Sequence, residues 1–131
     1  MDLKNIVKMS QDIIADTLNE IMNAKRARKT EIVVTRHSKL LFELLKLAKK
    51  HGYIDDFKLQ EKLTIKFSKL NNCKAIKPRL DVRVEEIEDK MIRFLLARNF
   101  GIVVISTSKG LKTHEECFEE KIGGKLLAYF Y

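Results

Sequence analysis

A short polar run near the end of the chain carries side chains suited to contacting a nucleic-acid backbone. Ser106, Thr107, Ser108 and Lys109 supply hydroxyls and an ammonium group, and Gly110 follows them. Hydroxyl and ammonium groups donate hydrogen bonds to phosphate and ribose oxygens. Glycine has no Cβ, so the backbone can turn there or come close to a ligand. This run therefore predicts a site that binds a nucleic-acid backbone.

The elements around the run would hold it on a rigid support. Residues 102–105 are β-branched and apolar, which is typical of a buried strand. Thr113 and Glu116 fit a capping box, in which a hydroxyl and a carboxylate satisfy backbone donors at a helix start. The glycine pair at 123–124 then ends the predicted helix, and residues 125–131 form a last apolar strand. The sequence thus predicts a loop between a strand and a capped helix.

The charge balance favours a polyanionic partner. The chain of 131 residues has 26 Lys and Arg against 18 Asp and Glu, a formal net charge of +8. Cations that neutralise phosphates release condensed counterions, which gives affinity for nucleic acid without sequence reading. A run of about 18 apolar residues, as a membrane span would need, is absent. Because a signal peptide is also absent, we expect a cytoplasmic protein with no membrane partner.

Catalytic and metal-binding signatures are incomplete. Cys73 and Cys117 lie far apart with no C-x-x-C pair, so we expect free thiols and no bound metal. Ser106 and Lys109 fit the S-x-x-K pattern of serine-lysine hydrolases, but the companion motifs of those enzymes are absent. We therefore predict no catalytic residues, no cofactor and no small-molecule substrate. A serine-lysine hydrolase stays as a remote alternative.

The first half of the chain predicts an α-β-α-β-β unit. Apolar residues at helical spacing predict a helix over residues 10–23. Ser38 is a plausible N-cap of a second helix, and Gly52 stands where a helix C-terminus favours glycine. Alternating or β-branched residues predict strands at 31–35, 53–57 and 63–67.

The second half predicts a smaller β-rich unit. Residues 68–79 are cationic, lack acidic side chains and contain the only proline, which favours a connector. A strand over 80–84 and a short helix from 85 to 97 follow. The fold class is therefore α/β of the α+β type, with an N-terminal α/β domain over 1–70, a connector over 71–79 and a β-rich RNA-binding domain over 80–131.

Further cations form clusters outside the polar run. A solvated helix end or a solubilising loop would explain each cluster alone, but together with the polar run they favour RNA binding. The candidate RNA-contacting cations are Lys25, Arg26 and Arg28 after the first helix, and Lys74, Lys77 and Arg79 in the connector.

Taken together, the motifs resemble the universal small-subunit ribosomal protein eight family. Its C-terminal signature is matched by residues 106–110, by Thr113 with Glu116, by 123–124 and by 126–129. Residues 23–24, 38–40, 52–57, 75–79 and 97–102 are similar to the same family, so the resemblance covers nearly the whole chain. Ile-Lys-Pro-Arg at 76–79 and Lys125 are typical of its archaeal and eukaryotic branch.

The resemblance implies a ribosomal role without catalysis. The resemblance implies that the chain binds the central domain of small-subunit ribosomal RNA, supports subunit assembly and lies among neighbouring small-subunit ribosomal proteins. An RNA-binding regulator acting off the ribosome is the alternative, because the same residues would serve it. By position, the resemblance implies RNA contacts for Ser106, Thr107, Ser108, Lys109 and Gly110, for Gly123, Gly124 and Lys125 beside them, and for Ser38 and Lys39 in the N-terminal domain.

Overall fold

The structure is a computed structural model that describes residues 13–76, 79–93 and 101–131. The chain divides between Lys69 and Leu70 into two compact units. The first unit holds helices and a three-stranded sheet, and the second holds a five-stranded sheet. Because both sheets are antiparallel and helices accompany each, the predicted α+β class is confirmed. Within the described residues, no helix is long and apolar enough to cross a membrane.

The first unit has the predicted order of elements. Strand β3 is central and pairs with β1 on one side and β2 on the other. Its core is made of apolar residues from the helices and the sheet, including Leu18, Ile21, Leu41, Leu44, Leu45, Leu63 and Ile65. The elements are α1 (Ile13–Arg26), β1 (Glu31–Val34), α2 (Lys39–Lys50), β2 (Asp56–Leu59) and β3 (Leu63–Lys66). The start of the helix predicted over 10–23 lies outside the described residues.

The second strand begins later than predicted because the end of α2 uses the preceding residues. The backbone N–H of Tyr53 donates to the carbonyl of Ala48 at 2.9 Å. Gly52 adopts a left-handed φ of 86° between them. These features form a Schellman motif, in which two residues past the helix satisfy its last carbonyls. The prediction of a strand over 53–57 was therefore wrong at its start, and β2 begins at Asp56.

The second unit is a sheet built around its last strand. β8 pairs with β6 on one side and with β4 and β5 on the other, and β6 also pairs with β7. The elements are β4 (Cys73–Ala75), β5 (Asp81–Val82), a 3₁₀ turn (Val84–Glu86), α3 (Ile87–Met91), β6 (Ile102–Thr107), β7 (Gly110–Thr113), α4 (His114–Glu120) and β8 (Gly124–Phe130). One face of this sheet packs into a core with Ile87, Met91 and Cys117.

Part of the predicted connector is a strand of this sheet. Residues 73–75 pair with 128–130 of β8, and the N–H groups of Asn71 and Asn72 both donate to the carbonyl of Tyr131. Pairing with so distant a part of the chain leaves no trace in local composition, so composition alone suggested a connector. Residues 77–78 lie outside the described residues.

The strand predicted over 80–84 is also shorter than expected. β5 ends at Val82, and Val84 begins the 3₁₀ turn. The carboxylate of Glu86 accepts from the N–H of Arg83 at 3.4 Å, which favours the turn over a continued strand. The predicted helix follows as α3 and reaches Met91, while residues 94–97 lie outside the described part of the chain.

Candidate nucleic-acid interface

The predicted hydroxyl loop is a β-hairpin. Ser106 and Thr107 are the last residues of β6, and Gly110 is the first residue of β7, paired with Thr107. Only Ser108 and Lys109 remain as the turn between the strands. The prediction of a five-residue loop leading directly into a helix was wrong, since hydroxyl-bearing and β-branched residues also pair well in a sheet.

Hydrogen bonds inside the hairpin fix the shape of its turn. The hydroxyl of Thr107 donates to the carbonyl of Gly110 at 2.7 Å and accepts from the N–H of Lys109 at 3.2 Å. Gly110 has a φ of 103°, a conformation that favours glycine after a tight hairpin turn. The Thr107 hydroxyl hydrogen is thus used internally. Ser108 and Lys109 are exposed and keep their donors for a ligand.

The neighbouring strand places another cation beside the hairpin. Ser106 is the register partner of Lys125 on β8, and directly opposed residues lie about 5 Å apart on one face. A Cβ at Gly124 would collide with the carbonyl oxygen of Ser106, and one at Gly123 with the carbonyl oxygen of Val82. The glycine pair therefore allows β5, β6 and β8 to approach closely at the point where these polar side chains meet.

The helix before the glycine pair ends by another means. Lys121 takes a left-handed φ of 56°, and the N–H of Ile122 donates to the carbonyl of Cys117 at 3.1 Å. The prediction that the glycine pair ends the helix was therefore wrong. At its start, the Thr113 hydroxyl accepts from the N–H of Glu116 at 3.3 Å, as an N-cap should. The same hydroxyl donates to the Glu116 carboxylate at 3.4 Å, in place of the reciprocal backbone contact expected.

One further cation lies beside the glycine pair. The Cα of Arg83 is 3.0 Å from the position of a Cβ on Gly123, and Arg83 is exposed. The alternation of apolar residues at 80, 82 and 84 contained the signal, because it leaves position 83 on the polar side. We call Arg83, Ser106, Ser108, Lys109 and Lys125 the hairpin-end surface. Asp81, the β5 partner of Lys125, adds one carboxylate beside it.

The connector cations do not join the hairpin-end surface. Lys74 is the register partner of Tyr129, which packs against the core face of the sheet. Lys125 points to the opposite face, because the next residue belongs to that core. The two lysines are also separated by about 13 Å along the strands. Arg79 is exposed before β5, and Lys77 lies outside the described residues.

In the first unit, the cation cluster lies where α1 ends. The N–H of Arg28 donates to the carbonyl of Lys25 at 2.9 Å, and the N–H of Lys29 donates to the carbonyl of Ala24 at 2.8 Å. This is again a Schellman motif, but Arg28 occupies the left-handed position, with a φ of 62°. Arg26 and Arg28 are both exposed. The strained backbone therefore presents a guanidinium group to solvent.

Ser38 and Lys39 lie where α2 begins. The Ser38 hydroxyl oxygen accepts from the N–H of Leu41 at 3.2 Å, so the predicted N-cap is confirmed. Its hydrogen remains to donate, and Lys39 is exposed. Strand β1, about 10 Å long, separates this pair along the chain from the cluster at the end of α1. The two groups flank opposite ends of that strand and form separate candidate contacts.

The two cysteines of the second unit are structural. Cys73 and Cys117 are both buried, and neither is part of a disulfide. Burial, with a smaller contribution from the carboxylates of Glu116 and Glu120, raises the pKa of the Cys117 thiol to about 11. Such a thiol stays protonated at neutral pH and is a poor nucleophile or metal ligand. In the described part of the chain, no group of three or more His, Cys, Asp or Glu side chains could hold a metal ion.

The fold and the site together define a class of protein. It is a small α+β protein that presents hydroxyls and cations on exposed turns held by buried strands. Donors of this kind suit phosphate and ribose oxygens.

Residues 12–131 match the family described as Ribosomal protein S8, and the chain belongs to this family. Small ribosomal subunit protein uS8 of Neurospora crassa is 34% identical over 125 residues, which cover 91% of this chain and 96% of that protein. Small ribosomal subunit protein uS8A of Schizosaccharomyces pombe is 35% identical over 127 residues, 92% and 98% of the two chains. Small ribosomal subunit protein uS8 of Picrophilus torridus is 39% identical over 129 residues, 94% and 100%.

These matches confirm the resemblance to the archaeal and eukaryotic branch, because eukaryotic and archaeal proteins are among the relatives. They also confirm the prediction that the chain is not an enzyme, since the family consists of structural ribosomal proteins.

Proposed function

We propose that this chain is a structural component of the small ribosomal subunit that binds the central domain of its RNA and supports assembly of the subunit. The names of its relatives refer to that subunit. One observation carries the choice of RNA site. The close pairing of β6 and β8 at Gly124 sets Ser106 beside Lys125, next to the exposed turn of the hairpin.

The hairpin-end surface suits an irregular RNA helix. Proteins recognise such RNA by its shape and by contacts to ribose hydroxyls and phosphates, more than by base edges. The hydroxyls of Ser106 and Ser108 both donate and accept, which matches ribose. Lys109, Lys125 and Arg83 supply the salt-dependent attraction to phosphate. Hydroxyls therefore set the position of the protein on the RNA, and cations supply most of its affinity.

The first unit supplies a second set of contacts in this proposal. Arg28 with its neighbours at the end of α1 would bind one stretch of RNA backbone, and Ser38 with Lys39 another. The two units would act as separate domains joined between Lys69 and Leu70. The protein would be cytoplasmic, bound in the ribosome among other small-subunit proteins.

The test is a titration of the isolated central-domain RNA with the double variant Ser108→Ala, Lys109→Ala. Loss of one hydrogen bond and one charge-assisted contact should weaken binding by about 10- to 100-fold. The slope of log affinity against log salt should fall by about one. Lys46→Ala, an exposed lysine on α2, is the matched control and should change little. Unchanged affinity in the double variant, with an unchanged thermal melt, would reject the hairpin-end surface as the RNA site.

An off-ribosome regulator would use the same residues, so location separates it from a ribosomal protein. Sedimentation of the native protein with small subunits in cell extract supports the ribosomal role. RNA binding without co-sedimentation would support the regulator instead.

A further inference from the structure

Three aromatic rings lie side by side at the start of α2, and the outermost of them is exposed. The imidazole of His37 lies 5.4 Å from the ring of Phe42, centre to centre, at a tilt of 47°. Phe42 in turn lies 6.3 Å from the ring of Phe57 on β2. Phe42 and Phe57 are half-buried, whereas His37 is exposed. The two phenylalanines therefore belong to the packing of helix against strand, and the imidazole extends this row of rings to the surface.

The neighbours of the exposed ring limit its freedom. His37 directly precedes Ser38, whose hydroxyl caps α2 by accepting from the N–H of Leu41. The cap therefore fixes the backbone beside the ring. Phe42 supports the ring at a distance and a tilt that are typical of aromatic pairs. A ligand that stacks on the imidazole would find it already placed, so little further side-chain entropy would be lost on binding.

The residues that follow the ring suit the other parts of a nucleotide. The oxygen of the Ser38 hydroxyl is used by the helix cap, but its hydrogen remains to donate. Lys39 is exposed, and the first turn of α2 contains no acidic side chain. A hydroxyl and an ammonium group bind ribose and phosphate oxygens. An aromatic ring, a hydroxyl and a cation thus follow one another in three consecutive residues.

The charge around the ring favours an anionic ligand. α2 exposes four lysines and one glutamate. Lys49 is paired with Asp56 at 3.1 Å, so three lysines remain against the one glutamate. Before the ring in the chain, the Arg36 guanidinium and the Asp16 carboxylate lie 3.6 Å apart and balance each other. A nucleotide carries both a flat base that can stack on imidazole and the negative charge that this surface attracts, so it fits better than an aromatic side chain of a protein.

We propose that one unpaired base of the RNA stacks on His37, and that Ser38 and Lys39 bind the ribose and phosphate of the same nucleotide. Unpaired bases of irregular RNA stack on aromatic side chains, histidine among them. Because every base has a flat π face, the contact fixes where the base lies without selecting its identity. This inference rests on the proposed RNA-binding function and extends it, since backbone contacts alone give His37 no role.

The test is a titration of isolated central-domain RNA with variants of the full-length chain. His37→Ala should weaken binding by about tenfold, as expected for the loss of one stacked base. His37→Phe keeps a flat ring and should bind like the unchanged chain. His37→Gln keeps hydrogen-bonding groups without a ring, and it should bind as weakly as His37→Ala. Thr35→Ala, at an exposed position two residues earlier, is the matched control and should leave RNA affinity unchanged.

A second measurement reports on stacking directly. The chain has three histidines, and NMR can follow the imidazole C–H signals of each during the titration. A base above the His37 ring should shift its signals upfield, because the ring current of the base shields the protons beneath it. His114 is only 2% exposed and serves as the internal reference, whose signals should move little.

Four results would overturn the proposal. His37→Ala binds RNA as tightly as the unchanged chain, or the His37 signals do not move upfield when RNA is added. His37→Gln binds like the unchanged chain, which would make the contact a hydrogen bond. His37→Ala melts at a much lower temperature and His37→Phe does not restore RNA affinity, which would make the ring a part of the packing.

The inference and the proposed function fail in different ways. If the double variant at Ser108 and Lys109 weakens RNA binding and His37→Ala does not, only the stacking contact is rejected. If the unchanged chain does not bind central-domain RNA, the proposed function fails, and the stacking contact is rejected with it.

Discussion

The turn of the β6–β7 hairpin and the start of β8 both depend on glycine, but for different physical reasons. Gly110 has a φ of 103°, and a Cβ there would meet no atom within 4 Å. At Gly123 and Gly124 a Cβ would strike the backbone of β5 and of β6. Gly110 is thus required by its backbone conformation, and the glycine pair is required by the space between strands.

This difference shows which glycine controls the hairpin-end surface. A substitution at Gly110 strains one turn, which has open space around it. A substitution at Gly124 must push β8 away from the carbonyl of Ser106, and it thereby separates Ser106 from Lys125. The juxtaposition that we propose binds RNA therefore depends on the start of β8 more than on the turn.

The largest expected effect follows from Gly124→Ala. The added methyl overlaps backbone on β6, which cannot move without breaking ladder hydrogen bonds. Overpacking of this kind should destabilise the second unit by about 3 kcal/mol. Urea unfolding followed by circular dichroism measures the loss. RNA affinity, titrated under conditions where the variant is still folded, should fall as well.

A smaller effect is expected from Gly110→Ala, which serves as the control for the first variant. Its Cβ enters open space, so the cost is conformational strain alone, about 1–2 kcal/mol. The same urea experiment compares the two variants. If Gly110→Ala proved as destabilising as Gly124→Ala, the contrast between backbone conformation and strand spacing would not hold.

The glycines also show what sequence can and cannot predict in this fold. Ser38, Gly52 and Thr113 were assigned correctly because helix caps are made by residues within a few positions of each other. The turn at Gly110 was among the predicted roles, but the glycine pair was assigned to the end of a helix, whereas in the structure it permits close approach of strands. The close contacts of the glycine pair come from strands that are distant in the chain, and no local pattern records which backbone a glycine will face.

Strand pairing explains the other differences between the predicted elements and the observed ones. β4 lies within the predicted connector because its partner is in β8, and the polar run became a hairpin because β7 pairs back onto β6. The candidate residues were nonetheless chosen by their chemistry, which pairing does not alter. The sequence thus supplied the groups of the hairpin-end surface except Arg83, while their arrangement required the sheet.

The ends of α1 and α2 extend the comparison to the first unit. Both form Schellman motifs, but the left-handed residue is Gly52 after α2 and Arg28 after α1. An L-residue with a side chain is strained in this conformation by about 1–2 kcal/mol. A cation also interacts favourably with the helix C-terminus, by about 0.3–1 kcal/mol. That interaction offsets only part of the strain, so the helix terminus alone does not account for an arginine at this position.

The smallest expected effect on stability is that of Arg28→Gly. The same variant should nevertheless change RNA binding measurably. Relief of backbone strain opposes the loss of charge and the greater freedom of glycine in the unfolded chain, so stability should change by less than about 1 kcal/mol. RNA affinity should fall for every RNA sequence tested, because a phosphate contact is lost. For the same reason, the slope of log affinity against log salt should drop by about one. Arg28→Lys keeps both the charge and the strain, and it should keep the slope. If Arg28→Gly bound RNA with the original slope, the strained cation would have no part in RNA binding, and the end of α1 would be a helix terminus without a ligand.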